Sequence, residues 1–155
     1  MTILETGDQA PAFDLPANGG DNLQLADFRG KWVALYFYPK DMTPGCTTES
    51  QDFRDLFSDF TRQNTTIVGV SRDSVRRHDK FVAKHDLPFP LVSDESGTMC
   101  EDYGVWKLKK LYGREYMGIE RSTFLIDPMG IIRHIWPKVK VKGHADDVLR
   151  TLQEL

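Results

Sequence analysis

Two cysteines, Cys46 and Cys100, and four histidines carry most of the covalent and metal-binding chemistry open to this 155-residue chain. Cys46 closes the octapeptide Pro39-Lys40-Asp41-Met42-Thr43-Pro44-Gly45-Cys46. Thr43 is a favourable helix N-cap, its hydroxyl expected to accept an N–H from the first turn, and Pro44 suits the first helical position, where a missing N–H costs nothing. Cys46 is therefore expected in the first turn of a helix. Unpaired N–H groups and the positive end of the helix dipole favour a thiolate there, and the thiolate is the nucleophile.

A cysteine of ordinary pKa, about 8.5, is only about 3% thiolate at pH 7. Reaching about 90% takes about 3.4 kcal/mol of preference for the anion, whereas a helix terminus typically supplies about 0.3–1 kcal/mol. A nearby cation is required, and arginine suits because it stays charged. Spacing alone does not single out which arginine. Cys100 lies 54 residues from Cys46, which matches no Cys-x-x-Cys or zinc pattern. A free cysteine behaves as a small hydrophobe, so Cys100 is expected to pack in the core. His78, His85, His134 and His144 are scattered. His78 and His85 can share a helix face, but no closed ligand set accompanies them, so a solvated role and no metal are expected.

The elements around Cys46 follow from pattern. Trp32-Val33-Ala34-Leu35-Tyr36-Phe37-Tyr38 is apolar without alternation, as in a central strand covered on both faces, and Pro39 ends it. The helix starting at Thr43 carries Phe53, Leu56, Phe57 and Phe60 in one apolar stripe. Thr66–Ser71 reads as a strand, Ser74–His85 as a helix with Val75, Phe81 and Val82 inward, Leu91–Ser93 as a short strand and Gly97–Tyr103 as a short helix. Lys107–Gly118 reads as a basic, irregular and solvated loop. Ser122–Ile126 and Ile131–Ile135 are strands joined by the turn Asp127-Pro128-Met129-Gly130. A last helix carries Val148, Leu149, Leu152 and Leu155 on one face. Near the start, Asn18–Asn22 is a turn between Phe13–Leu15 and Leu23–Leu25, which predicts an N-terminal β-hairpin. This order implies an α/β fold, a mixed central β-sheet flanked by helices.

The length fits one domain, residues 1–155, and 40% apolar residues suffice for a core. A net charge of −3 argues against nucleic-acid binding. No run approaches the ~18 apolar residues of a membrane span, and Met1–Asp8 lacks the basic and apolar regions of a signal peptide. A reducing, cytoplasmic location is the expectation.

The string Tyr36-Phe37-Tyr38-Pro39-Lys40-Asp41-Met42-Thr43-Pro44-Gly45-Cys46-Thr47-Thr48-Glu49 resembles the active-site motif of the peroxiredoxins, in their bacterioferritin-comigratory-protein or PrxQ branch. Gly7–Phe13, Leu91–Glu95, Gly104-Val105-Trp106 and Arg121–Asp127 extend the resemblance over nearly the whole chain. The resemblance implies a thioredoxin-like fold and a thiol peroxidase acting on hydrogen peroxide and organic hydroperoxides in antioxidant defence. It implies no cofactor and, for this branch, a monomer. Cys46 would attack the peroxide and become a sulfenic acid. Arg121 would stabilise the thiolate and hold the peroxide, Thr43 would contact it, and the Gly45 and Cys46 N–H groups would donate to its oxygens. Pro39 would shield the site and fix the loop. Glu49, one turn on, is expected to be solvated or to meet a helix-terminal N–H, with a supporting chemical role as the alternative.

The branch often has a resolving cysteine five residues after the first, or in the next helix. Gln51 and Val82 stand at those positions here. A one-cysteine cycle follows, with thioredoxin, glutaredoxin or a low-molecular-weight thiol as reductant. Cys100 could resolve Cys46 only if the Cα atoms came within about 7 Å or the fold opened locally. Two other readings compete. A thioredoxin-type disulfide oxidoreductase would need a cysteine where Thr43 stands. A non-enzymatic redox sensor or chaperone would use Cys46 as a switch.

Overall fold

The structure, a computed structural model, describes residues 3–155; Met1 and Thr2, the start of the N-terminal segment read above, lie outside it. In chain order the elements are β1 (Asp14–Pro16), β2 (Asn22–Gln24), β3 (Trp32–Phe37), α1 (Pro44–Asp55), α2 (Phe57–Arg62), β4 (Thr65–Ser71), α3 (Val75–His85), β5 (Leu91–Ser93), α4 (Thr98–Asp102), β6 (Trp106–Leu111), β7 (Arg114–Ile119), β8 (Ser122–Ile126), β9 (Ile132–Trp136) and α5 (His144–Glu154).

β3 is central, as its uninterrupted apolar run predicts. It pairs in parallel with β4 and antiparallel with β8, in a five-stranded mixed sheet of order β5-β4-β3-β8-β9. Because side chains alternate across a strand, the sheet divides the core in two. Val33, Leu35 and Phe37 point to one face, where they meet Met99, Cys100, Tyr103 and Phe124. Ala34, Tyr36 and Tyr38 point to the other, where they meet Cys46, Phe53, Phe60 and Phe81 from α1, α2 and α3, and Val148 and Leu152 from α5. The N-terminal hairpin β1–β2 forms, with Leu15 opposite Leu23.

Four expectations are corrected. Lys107–Gly118 is not a loop: β6 and β7 form an antiparallel hairpin from Trp106↔Ile119 to Leu111↔Arg114. Its turn residues, Tyr112 and Gly113, both have positive φ, 51° and 76°, the geometry of a two-residue hairpin turn. Neither face of its outer half is covered, so no clean alternation marks it in the sequence. The Phe53–Phe60 stripe spans two helices, because the chain leaves helical geometry at Leu56 (φ −99°, ψ 6°). Leu155 is exposed rather than on the buried face of α5. His78 is fully buried and His144 is 6% exposed, rather than solvated. Among the described residues no helix is long and apolar enough to cross a membrane.

Candidate active site

Thr43 is the N-cap of α1, in extended geometry, with Pro44 at the first helical position. Its hydroxyl does not cap the helix as expected. It donates instead to the Lys40 carbonyl at 2.8 Å, closing the loop that precedes the helix. Cys46 lies in the first turn and is 1% exposed. Helix geometry leaves the Gly45 and Cys46 N–H groups without acceptors in the helix.

Arg121 immediately precedes β8, the strand antiparallel to β3. The pairing brings its guanidinium back over the start of α1. Nη2 donates to Cys46 Sγ at 3.4 Å, and Nη1 donates to Glu49 Oε1 at 2.6 Å. This is the cation that helix geometry alone could not supply. Burial works against the Arg121 charge, but Glu49 and Cys46 outweigh it and push its pKa up. Gly45 makes room for this approach: a Cβ there would meet Arg121 Nη2 at 3.3 Å.

Glu49 is not solvated and does not meet a helix-terminal N–H. It is 1% exposed, Oε1 accepts from Arg121, and Oε2 is buried without a partner among the described residues. Burial pushes its carboxyl up to about 7, against the pull of Arg121 in the opposite direction. Pro39 is half-buried at the start of the loop. Cys100 is fully buried against the other face of the sheet. Both cysteines are free.

The structure thus brings Thr43, Gly45, Cys46, Glu49 and Arg121 together and leaves Cys100 apart. Sequence reasoning missed the environment of the Pro39–Thr43 loop. Asp41 is 1% exposed and contacts His78 Nδ1 through Oδ2 at 2.6 Å, while Tyr38 donates to its other oxygen. A signal was available: His78 stands three residues before Phe81, on the inward stripe of α3.

Comparison with known proteins gives the chain a family. Residues 6–135 match the AhpC/TSA family. Peroxiredoxin Bcp of Bacillus subtilis is 52% identical over 155 residues, covering 100% of this chain and 98% of the relative. The crystal structure of a cysteine-to-serine mutant of Xylella fastidiosa PrxQ superposes with a TM-score of 0.94 at 43% identity, over 99% of this chain and 98% of that one. A structure of Xanthomonas campestris bacterioferritin comigratory protein, described for its alkyl peroxide reduction activity, superposes with a TM-score of 0.88 at 48% identity, over 92% and 90% of the two chains. With a thioredoxin-like sheet and matches over nearly its whole length, the chain belongs to the AhpC/TSA family, among its peroxiredoxins of the Bcp/PrxQ kind.

Proposed function

We propose that this thiol peroxidase reduces hydrogen peroxide and organic hydroperoxides through Cys46 alone, with an external thiol closing the cycle. The observation that carries the reading is the 3.4 Å hydrogen bond from Arg121 Nη2 to Cys46 Sγ at the start of α1. A hydrogen bond from a charged donor favours the thiolate over the thiol, and the helix terminus adds to it.

The thiolate attacks one peroxide oxygen. The S–O bond forms as the O–O bond breaks, sulfur is oxidised by two electrons, and the leaving oxygen takes a proton and departs as water or alcohol. Arg121 and the Gly45 and Cys46 N–H groups stabilise charge on the oxygens, as in an oxyanion hole. The proton of Thr43 is committed to the Lys40 carbonyl. Its oxygen is left to accept from the peroxide O–H and so to orient the substrate. Pro39, with φ fixed by its ring, limits the freedom of the loop and screens the site. Glu49 holds the guanidinium in place.

The sulfenic acid needs a thiol. Gln51 and Val82 offer none, and Cys100 packs on the opposite sheet face. An outside thiol attacks the Cys46 sulfur, water leaves, and a second thiol releases Cys46 from the mixed disulfide. Thioredoxin or glutaredoxin suits this role better than a small thiol alone. The β6–β7 hairpin, which leads through Glu120 into Arg121, exposes Leu108, Leu111, Tyr112, Tyr116 and Met117 among basic side chains. Lys107, Lys109, Lys110 and Arg114 against Glu115 give residues 106–119 a charge of +3 in a chain of net charge −3. Such a surface steers an acidic partner. A monomer in a reducing cytoplasm, with both thiols free, completes the reading.

The test is hydrogen peroxide consumption by wild type, Cys46→Ser and Cys100→Ser, recycled by thioredoxin and its reductase. Loss in Cys46→Ser alone supports the one-cysteine cycle. Loss in both, with Cys100→Ser still reacting once, assigns Cys100 as the resolving thiol. Activity in Cys46→Ser overturns the reading.

A further inference from the structure

Between Asp41 and Thr43 the backbone turns through Met42 at φ 69°, the left-handed region that residues with a Cβ avoid. Such a residue persists only where its surroundings over-determine it. Thr43 holds the turn from one side through its bond to Lys40. Asp41 holds it from the other with every polar group it has except its carbonyl. Its N–H donates to Asp73 Oδ2 at 2.8 Å, Tyr38 donates to its Oδ1, and its Oδ2 meets His78 Nδ1 at 2.6 Å. His78 Nε2 lies 2.9 Å from the Val92 carbonyl. Asp73 is itself held by Ser71 Oγ at 2.6 Å and Arg77 Nε at 2.9 Å. The catalytic loop is thus tied to the end of β3, to α3 and to β5.

The protons in this network are fixed by chemistry. A carbonyl only accepts, so His78 Nε2 carries a proton toward Val92. Nδ1 and Asp41 Oδ2 then meet through one shared proton, whichever of them holds it. Tyr38, Asp41 and His78 are all at most 1% exposed, so a broken contact would leave a polar atom unpaired away from water. Asp41, Asp73 and His78 also present atoms within 4.8 Å of one another, as metal ligands do. Each of these atoms has a hydrogen-bond partner, Asp41 and His78 in each other, and we read the group as a clamp.

We propose that Asp41 and His78 are positioning residues for the peroxidase step: their buried hydrogen bond holds the Met42 turn so that Thr43 is presented to the peroxide at Cys46. This rests on the role given to Thr43 above. The clamp acts on the loop and not on Arg121, so it governs peroxide alignment and leaves the Cys46 thiolate in place.

The test compares the rate of reduced Cys46 with hydrogen peroxide against its rate with iodoacetamide, which needs a thiolate but no aligned peroxide. The variants are Asp41→Ala, Asp41→Asn, Tyr38→Phe, Thr43→Val and the double variant Asp41→Ala/Thr43→Val, each checked for folding by thermal melting. Asp41→Ala should slow the peroxide reaction about 10- to 100-fold and change alkylation by less than about twofold. Asp41→Asn should stay within about threefold of wild type, since its amide can donate to Nδ1 while its oxygen accepts from Tyr38. The double variant should be no slower than the slower single variant. If Asp41→Ala does not fold, Tyr38→Phe, which removes one donor, should still slow peroxide about 3- to 10-fold with alkylation unchanged. A parallel fall in both rates, an Asp41→Asn as slow as Asp41→Ala, or additive losses in the double variant would each overturn the proposal. Wild-type peroxide rates in Thr43→Val overturn the Thr43 reading, and the clamp's role with it. A slow Thr43→Val beside wild-type rates in Asp41→Ala and Tyr38→Phe overturns the clamp alone.

Discussion

Cys46 and Cys100 lie on opposite faces of the central sheet. Cys46 packs with Ala34, Tyr36 and Tyr38, and Cys100 with Val33, Leu35 and Phe37, the alternate residues of the same strand. The hydrogen-bonded sheet separates two environments. Cys46 has a guanidinium at 3.4 Å. At Cys100, burial and then Asp94 push the thiol pKa up, which keeps it protonated and a poor nucleophile. A bond between them would require the sheet or the helices on it to open.

Cys100→Ala is therefore expected to keep full turnover with thioredoxin and to lose about 1–2 kcal/mol of stability from the lost packing. Steady-state assays and chemical denaturation check both. A non-reducing peptide map of the peroxide-treated protein showing a Cys46–Cys100 link within one molecule would refute the separation.

Arg121→Met should slow the reaction of Cys46 with peroxide about 10²- to 10³-fold, the usual cost of removing one donor aimed at developing charge. It should also slow alkylation at pH 7, because the charged donor to Sγ is gone. That joint loss distinguishes it from Asp41→Ala. Arg121→Lys should recover only part of the rate, since one ammonium nitrogen cannot stand where both Nη1 and Nη2 of the planar fork do.

Gly45→Ala tests the approach of Arg121 to the helix. The added Cβ would meet Nη2 at 3.3 Å, so the guanidinium must give by a few tenths of an ångström. Alanine favours the helix, so stability should hold while the peroxide rate falls about 3- to 10-fold. Competition kinetics against a reference peroxidase would measure it.

Glu49 makes a pH prediction. Its carboxyl titrates at about 7 in the fold against an ordinary 4.5. Between those values the native state binds more protons than the unfolded chain, so this group lowers stability as pH rises from 4.5 to 7, by about 3 kcal/mol in all. His144 works in the opposite sense. Burial depresses it to about 4 from 6.5, so its contribution is present above that window and lost as pH falls through it. The two oppose each other in the wild type. The stability of wild type minus that of Glu49→Gln, from urea denaturation, should therefore fall steadily between pH 5 and 8. A flat difference would refute a buried, raised Glu49.

The hairpin makes the last prediction. Lys110→Glu/Arg114→Glu should lower kcat/KM for thioredoxin about tenfold at low salt, and the gap should close as salt rises. Rates with hydrogen peroxide and with dithiothreitol should not change.

Much of the site was legible because its signals are local. Thr43 and Pro44 mark a helix start within two residues, and the apolar run from Trp32 sets a buried strand just before it. Helix nucleation and strand burial depend on neighbours in sequence, so position and type of residue suffice. Arg121 could be named only through family resemblance, since nothing local ties it to a cysteine 75 positions away. Its placement depends on β8 pairing with β3. The hairpin at Lys107–Gly118 was missed because a ribbon exposed on both sides carries no apolar alternation. Sequence alone predicts Glu49 and His78 to be solvated, because charge is usually a surface property. Only the packed fold gives each a partner in the interior, Arg121 to one and Asp41 to the other. The sequence by itself determined the proposed nucleophile, the helix that presents it and the order of most of the elements. The tertiary structure decided which cation meets the sulfur, that the second cysteine faces away from it, and which buried groups hold the loop, because each of these rests on contacts between segments that chain order leaves far apart.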